Sequence, residues 1–512
     1  MNEVLDTPSL DAGIRLNPAD NVAVSVRRLD AGAEASGVTL RDAIPRGHKF
    51  ALTAIAEGEP VLKYAQIIGY ASQVIAPGAH VHLHNLEFRA SRVDHAFCST
   101  ARETDFLAEA DRATFQGYVR GDGRVGTRNY IAVITSVNCS ATAGRLIAQH
   151  FTPRELAPYP NVDGVAAFVH GTGCAMAANS EGFANLQRVM WGYARNPNCA
   201  GVLMVGLGCE SNQIDFLLDA YGIKRSPLFR TMNIQDMGGL RRTVEAGAKI
   251  VEEMLGAANA LHRVTCDALN LTLALQCGGS DAWSGVTANP ALGYAADLLV
   301  RNGGTAVLAE TPEIYGAEHL LTSRARDVQT AEKLMQRIAW WEEYTQTHGG
   351  SMDNNPSPGN KEGGLTTILE KSLGAVAKSG TQRLEGVYRY AEPIDRKGFV
   401  FMDSPGYDPV SITGEIASGC NIAAFTTGRG SVFGSKPAPC IKIATNATMY
   451  HRMSDDMDVN AGRIIDQGAT IEEVGREIFD LLLEVASGKQ SLSEAQGLGD
   501  YEFVPWQIGA VM

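Results

Sequence analysis

The sequence contains no Cys-x-x-Cys pair, although nine cysteines are spread through its 512 residues. That spacing excludes a zinc ribbon. The odd count argues against a disulfide framework and for reduced thiols in a bacterial-type cytoplasm. No apolar run approaches the ~20 residues that cross a bilayer, so no membrane partner is expected. Positive charge is also short. Lys and Arg number 44 against 57 Asp and Glu, a net charge of −13, which argues against nucleic acid or an anionic membrane surface. The opening stretch MNEVLDTPSLDAG is acidic and polar, unlike a secretory or transit leader. Histidine is scarce as well, with 11 residues, so its placement is informative.

What is present reads as a globular protein, 45% hydrophobic and 20% charged, long enough for about two to four domains. Residues 14–90 hold short β-prone runs such as NVAVSVRRL, GHKFALTAI and HVHLHNLEF, separated by IPRG, AEGEP and APGA. This pattern predicts a small all-β module. Residues 91–113 are polar and aperiodic, as in a linker. Over 114–258, and again over 262–506, apolar strands alternate with small-residue loops and helices. NYIAVITS, CAGVLMVGLGCE, LNLTLALQCGGSD and NIAAFTTGRG carry the pattern. Continuously apolar strands in that alternation predict parallel sheets covered on both faces. The fold class is therefore multi-domain α/β: an all-β module followed by two α/β domains.

Several residues could carry chemistry. His80, His82 and His84 alternate, which in a strand puts three imidazoles on one face with Val81 and Leu83 on the other. Such a set suits a divalent metal, with His48 of IPRGHKFAL as a ligand from a neighbouring strand. GDGRVGTRN matches G-x-G-x-x-G through Gly121, Gly123 and Gly126, but it precedes a strand and opens no helix, so it predicts no dinucleotide site. Arg124 and Arg128 of that stretch could hold a carboxylate in a fork. Polar residues recur just past the apolar strands: Asn138–Cys139, His170–Cys174, Gly208–Glu210, Cys277–Asp281, Glu310–Thr311, Asp403–Ser404, Thr426–Arg429 and Thr445–Asn446. In open α/β sheets these positions line the ligand crevice. DNNPSPGNKEGGLTTILEKSLG runs from a Pro/Gly-rich loop into a helix, a setting for an anion with Lys361 at hand.

The stretches IPRGHKFAL, VHLHN, GYVRGDGRVGTRNYIAVI, NPSPGNKEGGLTTILEKSLG, DSPGYDPVSITGEIASGCN and TTGRGSVFGSKPAPCIKIATN resemble the altronate/galactarate dehydratase family of sugar-acid hydro-lyases. The likeness covers nearly the whole chain. It implies a β-clip module of the SAF type followed by two α/β regions. It also implies a divalent metal, Fe2+ or Mn2+ first and Mg2+ as a further candidate, with His48, His82 and His84 matching the metal motif and His80 outside it. The implied substrate is an aldonic or aldaric acid, which loses its C2 proton and C3 hydroxyl to give a 2-keto-3-deoxy acid. The dianionic enediolate on that path needs cationic support, and a base must reach C2. His170 is the first candidate for the base and Lys63 the second, with His48 at the metal. Arg124, Arg128, Asn138, Lys361 and Arg429 are expected to orient the carboxylate and hydroxyls. The expected assembly is a homo-oligomer, a dimer or larger. Two other readings fit the residues: an iron–sulfur dehydratase using Cys139, Cys174, Cys209 or Cys277, and a non-catalytic sugar-acid-binding protein.

Overall fold

The structure, a computed structural model, describes residues 12–90 and 95–512; residues 91–94 of the expected linker lie outside this range. The N-terminal module consists of short antiparallel strands. Gly13–Ile14, Val22–Ser25, Lys49–Ala51 and His80–Val81 form one sheet, and Gln66–Ala71 lies between Pro60–Lys63 and Leu86–Glu87 in another. Tight turns need glycine at set points. At Gly78 (φ +77°) a Cβ would stand 2.1 Å from the Thr39 carbonyl oxygen, a contact no other residue could make.

The strand predicted through His84 stops at Val81. Asn85 ends it: its Oδ1 accepts from the His82 amide (3.0 Å) and its Nδ2 donates to the His80 carbonyl (2.9 Å). The Asn85 and Leu86 amides both donate to the His82 carbonyl. An asparagine side chain offering the backbone local partners favours a turn over a ladder. Leu83, expected beneath the histidines, is 48% exposed, whereas Val81 is buried.

The expected linker is a strap laid on the C-terminal unit. The amides of Cys98, Thr100 and Leu107 donate to the carbonyls of Thr322, Ser323 and Arg301. The glycine-rich 121–126 stretch turns a hairpin between Thr114–Val119 and Val125–Gly126, in keeping with its position ahead of a strand.

Both α/β units carry purely parallel sheets. The first orders its strands Gly164–Phe168, Tyr130–Thr135, Cys199–Gly206, Phe229–Asn233. The second has seven strands, ordered Leu384–Tyr388, Gly398–Met402, Thr305–Leu308, Thr272–Cys277, Ile422–Thr427, Cys440–Ala444, Val459–Asn460. The units share apolar packing. The helices Glu181–Arg195 and Asp408–Ser418 approach so closely that a Cβ on Gly192 would lie 2.2 Å from the Ala417 carbonyl. Phe503 stacks edge-on against Phe168 and Tyr193.

One buried carboxylate ties the module to the second unit. Glu370, on the helix Ile368–Val376, accepts from Lys49 Nζ (2.8 and 3.0 Å) and Lys63 Nζ (2.9 Å), and from the Thr366 amide and hydroxyl. Lys49 also donates to the Gly364 carbonyl. All three charged side chains are buried. Burial works against the Glu370 charge, but the two ammoniums overcome it and hold the carboxyl below its usual range.

Glu370→Gln leaves two buried ammoniums without a counter-charge and should cost about 3–5 kcal/mol. The isolipophilic triple change Lys49→Met, Lys63→Met, Glu370→Leu should cost far less. Because the carboxyl is depressed in the folded state, its contribution exists above the unfolded carboxyl value and is lost as pH falls through the folded one. Denaturant midpoints for both variants test this, and equal losses would contradict it.

Candidate functional site

The seven-stranded sheet changes direction of growth at the strand Thr272–Cys277, which has its chain successor Thr305–Leu308 on one side and Ile422–Thr427 on the other. Ligand crevices of open α/β sheets lie outside the carboxyl end of such a strand. Asp281, just beyond it, gathers the loops there. Thr445 Oγ1, Asn446 Nδ2 and Ser284 Oγ all donate to its carboxylate. The Gly279 carbonyl accepts from the amides of Gly428 and Arg429.

The β module docks over this edge. His48 Nε2 lies 3.2 Å from the Glu362 carbonyl oxygen, and Glu362 pairs through its carboxylate with Arg429 Nη2 at 2.8 Å. Ser357 caps the short helix Pro358–Glu362 in a box with Asn360, whose Nδ2 donates to the Ser280 carbonyl. The expected loop thus becomes a braced shelf between module and sheet. Lys361 sits on this shelf, half-buried.

The four histidines of the module cluster even though His82 and His84 stand in a turn. Ring centroids are 4.9 Å apart for His48–His82, 5.2 Å for His48–His80 and 5.5 Å for both His80–His82 and His80–His84. His48 Nδ1 and His80 Nε2 are 3.1 Å apart. Burial lowers His80 to about 4 and His82 to about 3, helped by Lys49 and the neighbouring rings. Both of these rings are therefore neutral at physiological pH, the form that binds a metal. His82 Nδ1 is buried without a hydrogen-bond partner. An orphaned buried nitrogen among neutral imidazoles fits a divalent ion.

A second cluster lies deeper at the same strand end. Lys378 Nζ is 3.0 Å from Cys277 Sγ and 3.7 Å from Glu310, and Lys371 Nζ is 2.7 Å from Glu313. Donor atoms of Cys277, Glu310 and Glu313 all fall within 4.8 Å of one another, a set that could take a divalent ion. Burial raises the Cys277 thiol to about 11 and pushes Glu310 well above the carboxyl range, so both must shed protons first. Both Glu310 oxygens are buried without a hydrogen bond, and its backbone is left-handed (φ +70°). Asp408 is raised to about 7 by burial and the Glu313 charge. Gly278 makes room for it, since a Cβ there would stand 2.2 Å from Asp408 Oδ2.

The structure therefore brings His48, His82, His84, Lys361 and Arg429 together. Lys63 lies beneath them, locked on Glu370, with its ammonium held above the usual range despite burial, so it has no means of accepting a proton. The other four expected residues belong to the first α/β unit. Arg128 is buried and spends its guanidinium on Glu494 and on the carbonyls of Thr127, Val485 and Lys489. Arg124 pairs with Asp122 in its own turn. His170 has Nε2 at 2.9 Å from the Thr135 carbonyl and Nδ1 accepting from the Thr172 amide, which leaves no ring nitrogen for a substrate proton. Asn138 stands beside it on the rim of a cleft of about 410 Å³ that also includes Arg145.

Sequence reasoning missed Lys49, Glu370, Lys371, Lys378 and Asp408. The two lysines that face Cys277 and Glu313 lie seven apart in EKSLGAVAK, a helical same-face spacing that was available as a signal. Nothing local marks Glu370 as the partner of lysines some three hundred positions away.

Three family models tile the chain. The altronate/galactarate dehydratase SAF domain matches residues 11–89. The D-galactarate dehydratase/altronate hydrolase second domain matches 117–259, and the D-galactarate/altronate dehydratase C-terminal model matches 268–511. Altronate dehydratase of Escherichia coli (strain K12) is 36% identical over 485 residues, covering 94% of this chain and 96% of that one. Galactarate dehydratase (L-threo-forming) of the same organism is 38% identical over 498 residues, 95% of each chain. The (2R)-sulfolactate sulfo-lyase subunit beta of Chromohalobacter salexigens is 32% identical over 397 residues, 76% of this chain and 96% of that one.

Burial also lifts Glu415 to about 8, beside Gln276. With the folded value raised, the native state keeps a proton that the unfolded chain gives up above about 4.3. Its contribution to stability is complete below that value and declines as pH climbs to about 8. Glu415→Gln has the shape of the protonated acid and never ionises, so the fall in denaturation midpoint from pH 5 to 8 should be shallower than in the parent. Parallel slopes would refute this.

Proposed function

This chain belongs to the D-galactarate/altronate dehydratase family, and on that premise we propose that it dehydrates a sugar acid. The substrate is an aldonic acid of the altronate type or an aldaric acid of the galactarate type, and the product is a 2-keto-3-deoxy acid. The observation that carries the location is the docking of the module's imidazoles against the shelf of Glu362, itself paired with Arg429, at the switch point of the seven-stranded sheet.

His48, His82 and His84 would hold the divalent ion, iron or manganese first and magnesium third. When bound, such an ion acts as a Lewis acid toward developing oxyanion charge. Lys361 and Arg429 orient the substrate carboxylate, and Lys371 and Lys378 add positive potential from beneath the strand end. Asp408 fits the base better than His170 or Lys63. It lies over Gly278, next to the Gly279 carbonyl that holds Arg429, and its value near 7 suits proton transfer in both directions. The Asp408 carboxylate takes the C2 proton. The acid so formed returns it to the C3 hydroxyl, which leaves as water, and the enol ketonises.

A panel of aldonic and aldaric acids, assayed for 2-keto-3-deoxy acid with iron, manganese, magnesium or a chelator, tests the activity. His82→Ala should lose bound metal and roughly 100-fold or more in turnover, the several kcal/mol that a Lewis-acidic ion supplies. Full metal content and turnover in that variant would remove the histidines from the reaction. Silence across the whole panel with metal supplied would favour a sugar-acid-binding protein.

A further inference from the structure

His80 stands at the centre of the module's imidazoles, although the ion was placed above on His48, His82 and His84. Its ring centroid lies 5.2 Å from that of His48 and 5.5 Å from those of His82 and His84. Of these four described residues, His84 has His80 alone as a ring neighbour, and it is exposed. His80 is thus the ring that links His84 to the rest. Backbone bonds hold it there. Its amide donates to Asp42 Oδ2 and its carbonyl accepts from Asn85 Nδ2, both at 2.9 Å. Phe50 stands opposite His80 in the antiparallel ladder. His48, two positions before Phe50, is therefore the diagonal neighbour of His80 on the same face.

The nitrogens of this pair face each other. A carbonyl oxygen only accepts, so His48 Nε2, 3.2 Å from the Glu362 carbonyl, carries the ring proton and Nδ1 keeps its lone pair. That lone pair meets His80 Nε2 across 3.1 Å. Two nitrogens held at ~2.1 Å by one ion stand about 3.0 Å apart at a right angle and about 3.4 Å at the tetrahedral angle. The observed separation lies between these values. A hydrogen bond from His80 to His48 has a similar span, so metal uptake and not distance separates the two roles. Among the described residues, no three histidine nitrogens all lie within 4.8 Å of one another, which makes His48 and His80 the preformed pair.

Resting on the metal reading above, we propose that His80 is a direct ligand of the divalent ion, paired with Nδ1 of His48. His80 then carries its ring proton on Nδ1 and offers Nε2. His82, whose Nδ1 is buried without a hydrogen bond, turns toward the pair as the ion enters. Imidazole suits iron, whereas magnesium and manganese prefer oxygen ligands, so this pair ranks Fe2+ first. The asparagine that breaks the expected strand serves the site as well. Its side chain fixes the His80 carbonyl and the His82 amide together.

The test is binding of Co2+, a stand-in for Fe2+, to the full chain, read from its visible absorbance and by competition with a chelator. Loss of an outer partner of a metal ligand costs roughly 10–100-fold in affinity. His80→Ala should lose more than that, and its cobalt band should shift and weaken. A glutamine at this position can donate a hydrogen bond to His48 Nδ1 but supplies no imidazole. His80→Gln should therefore bind no better than His80→Ala, and His150→Ala, at an exposed site on the first α/β unit, should bind as the parent does. The bonds to Asp42 and Asn85 use backbone atoms, so they survive these substitutions. Should a variant still fail to fold, acylation of the parent's histidines by diethyl pyrocarbonate, mapped by mass spectrometry, gives a second reading: loading must protect His80. Parental affinity and spectrum in His80→Ala, their recovery in His80→Gln, or an unprotected His80 would overturn the assignment and leave the metal reading standing. A parent that takes up no Co2+ would overturn both.

Discussion

One buried carboxylate holds the molecule in its working arrangement. Glu370 answers two lysines from the β module; Lys49 also donates to the Gly364 carbonyl, and the Thr366 hydroxyl donates to the carboxylate itself. Around it the module shares apolar core with the α/β body through Val61, Ile68 and Val81, Arg46 pairs with Asp466, and the Thr367 hydroxyl donates to the Ile68 carbonyl, so the buried charges fix the register of a wider contact. The same pairing sets the chemistry. Lys49 is preceded by His48, so docking the ammonium also places the imidazole against Glu362. Glu370 is followed by Lys371, so the next residue on that helix reaches the crevice cluster instead of the module.

Buried charge is usually a poor source of stability when compared with well-packed hydrophobic side chains. Its persistence here has a positional logic. Lys49, Lys63 and Glu370 define the module interface, while Lys371, Lys378, Glu313, Glu310 and Cys277 occupy the strand end a few ångströms deeper. An enclosed cavity of about 10 Å³, room for roughly one water, is lined by members of both sets, including Glu370, Lys371, Cys277 and Tyr64. The two networks are neighbours through one helix, so a shift of charge in the crevice is felt at the interface.

Much of the architecture was legible in the residues. Continuously apolar strands announced the two parallel sheets, glycine and proline punctuation announced the module, and the position of Gly121–Gly126 ahead of a strand ruled out a nucleotide loop. The rule that ligands gather past the carboxyl ends of strands picked out Cys277, Glu310 and Arg429. It could not tell that the strand ends belong to two separate sheets, so His170 and Asn138 were grouped with residues of the other unit. Alternation gave the histidines a strand because the pattern is blind to Asn85, whose side chain folds the segment back. Arg128 looked like a substrate clamp because a sequence cannot show that Glu494 and three carbonyls already fill its guanidinium. Long-range ion pairs have no local signature, and the most consequential pairs here join residues some three hundred positions apart.

The last ten residues lie on the first α/β unit: Phe503 packs on Phe168, Val511 bridges Met176, and the Met512 amide donates to the Ala175 carbonyl. During synthesis, the four-stranded sheet leaves the ribosome long before residues 503–512 are made. Its cysteine loops therefore stay uncapped until residues 503–512 have emerged. A fusion partner or purification tag attached after residue 512 would sit against the loop of Cys174.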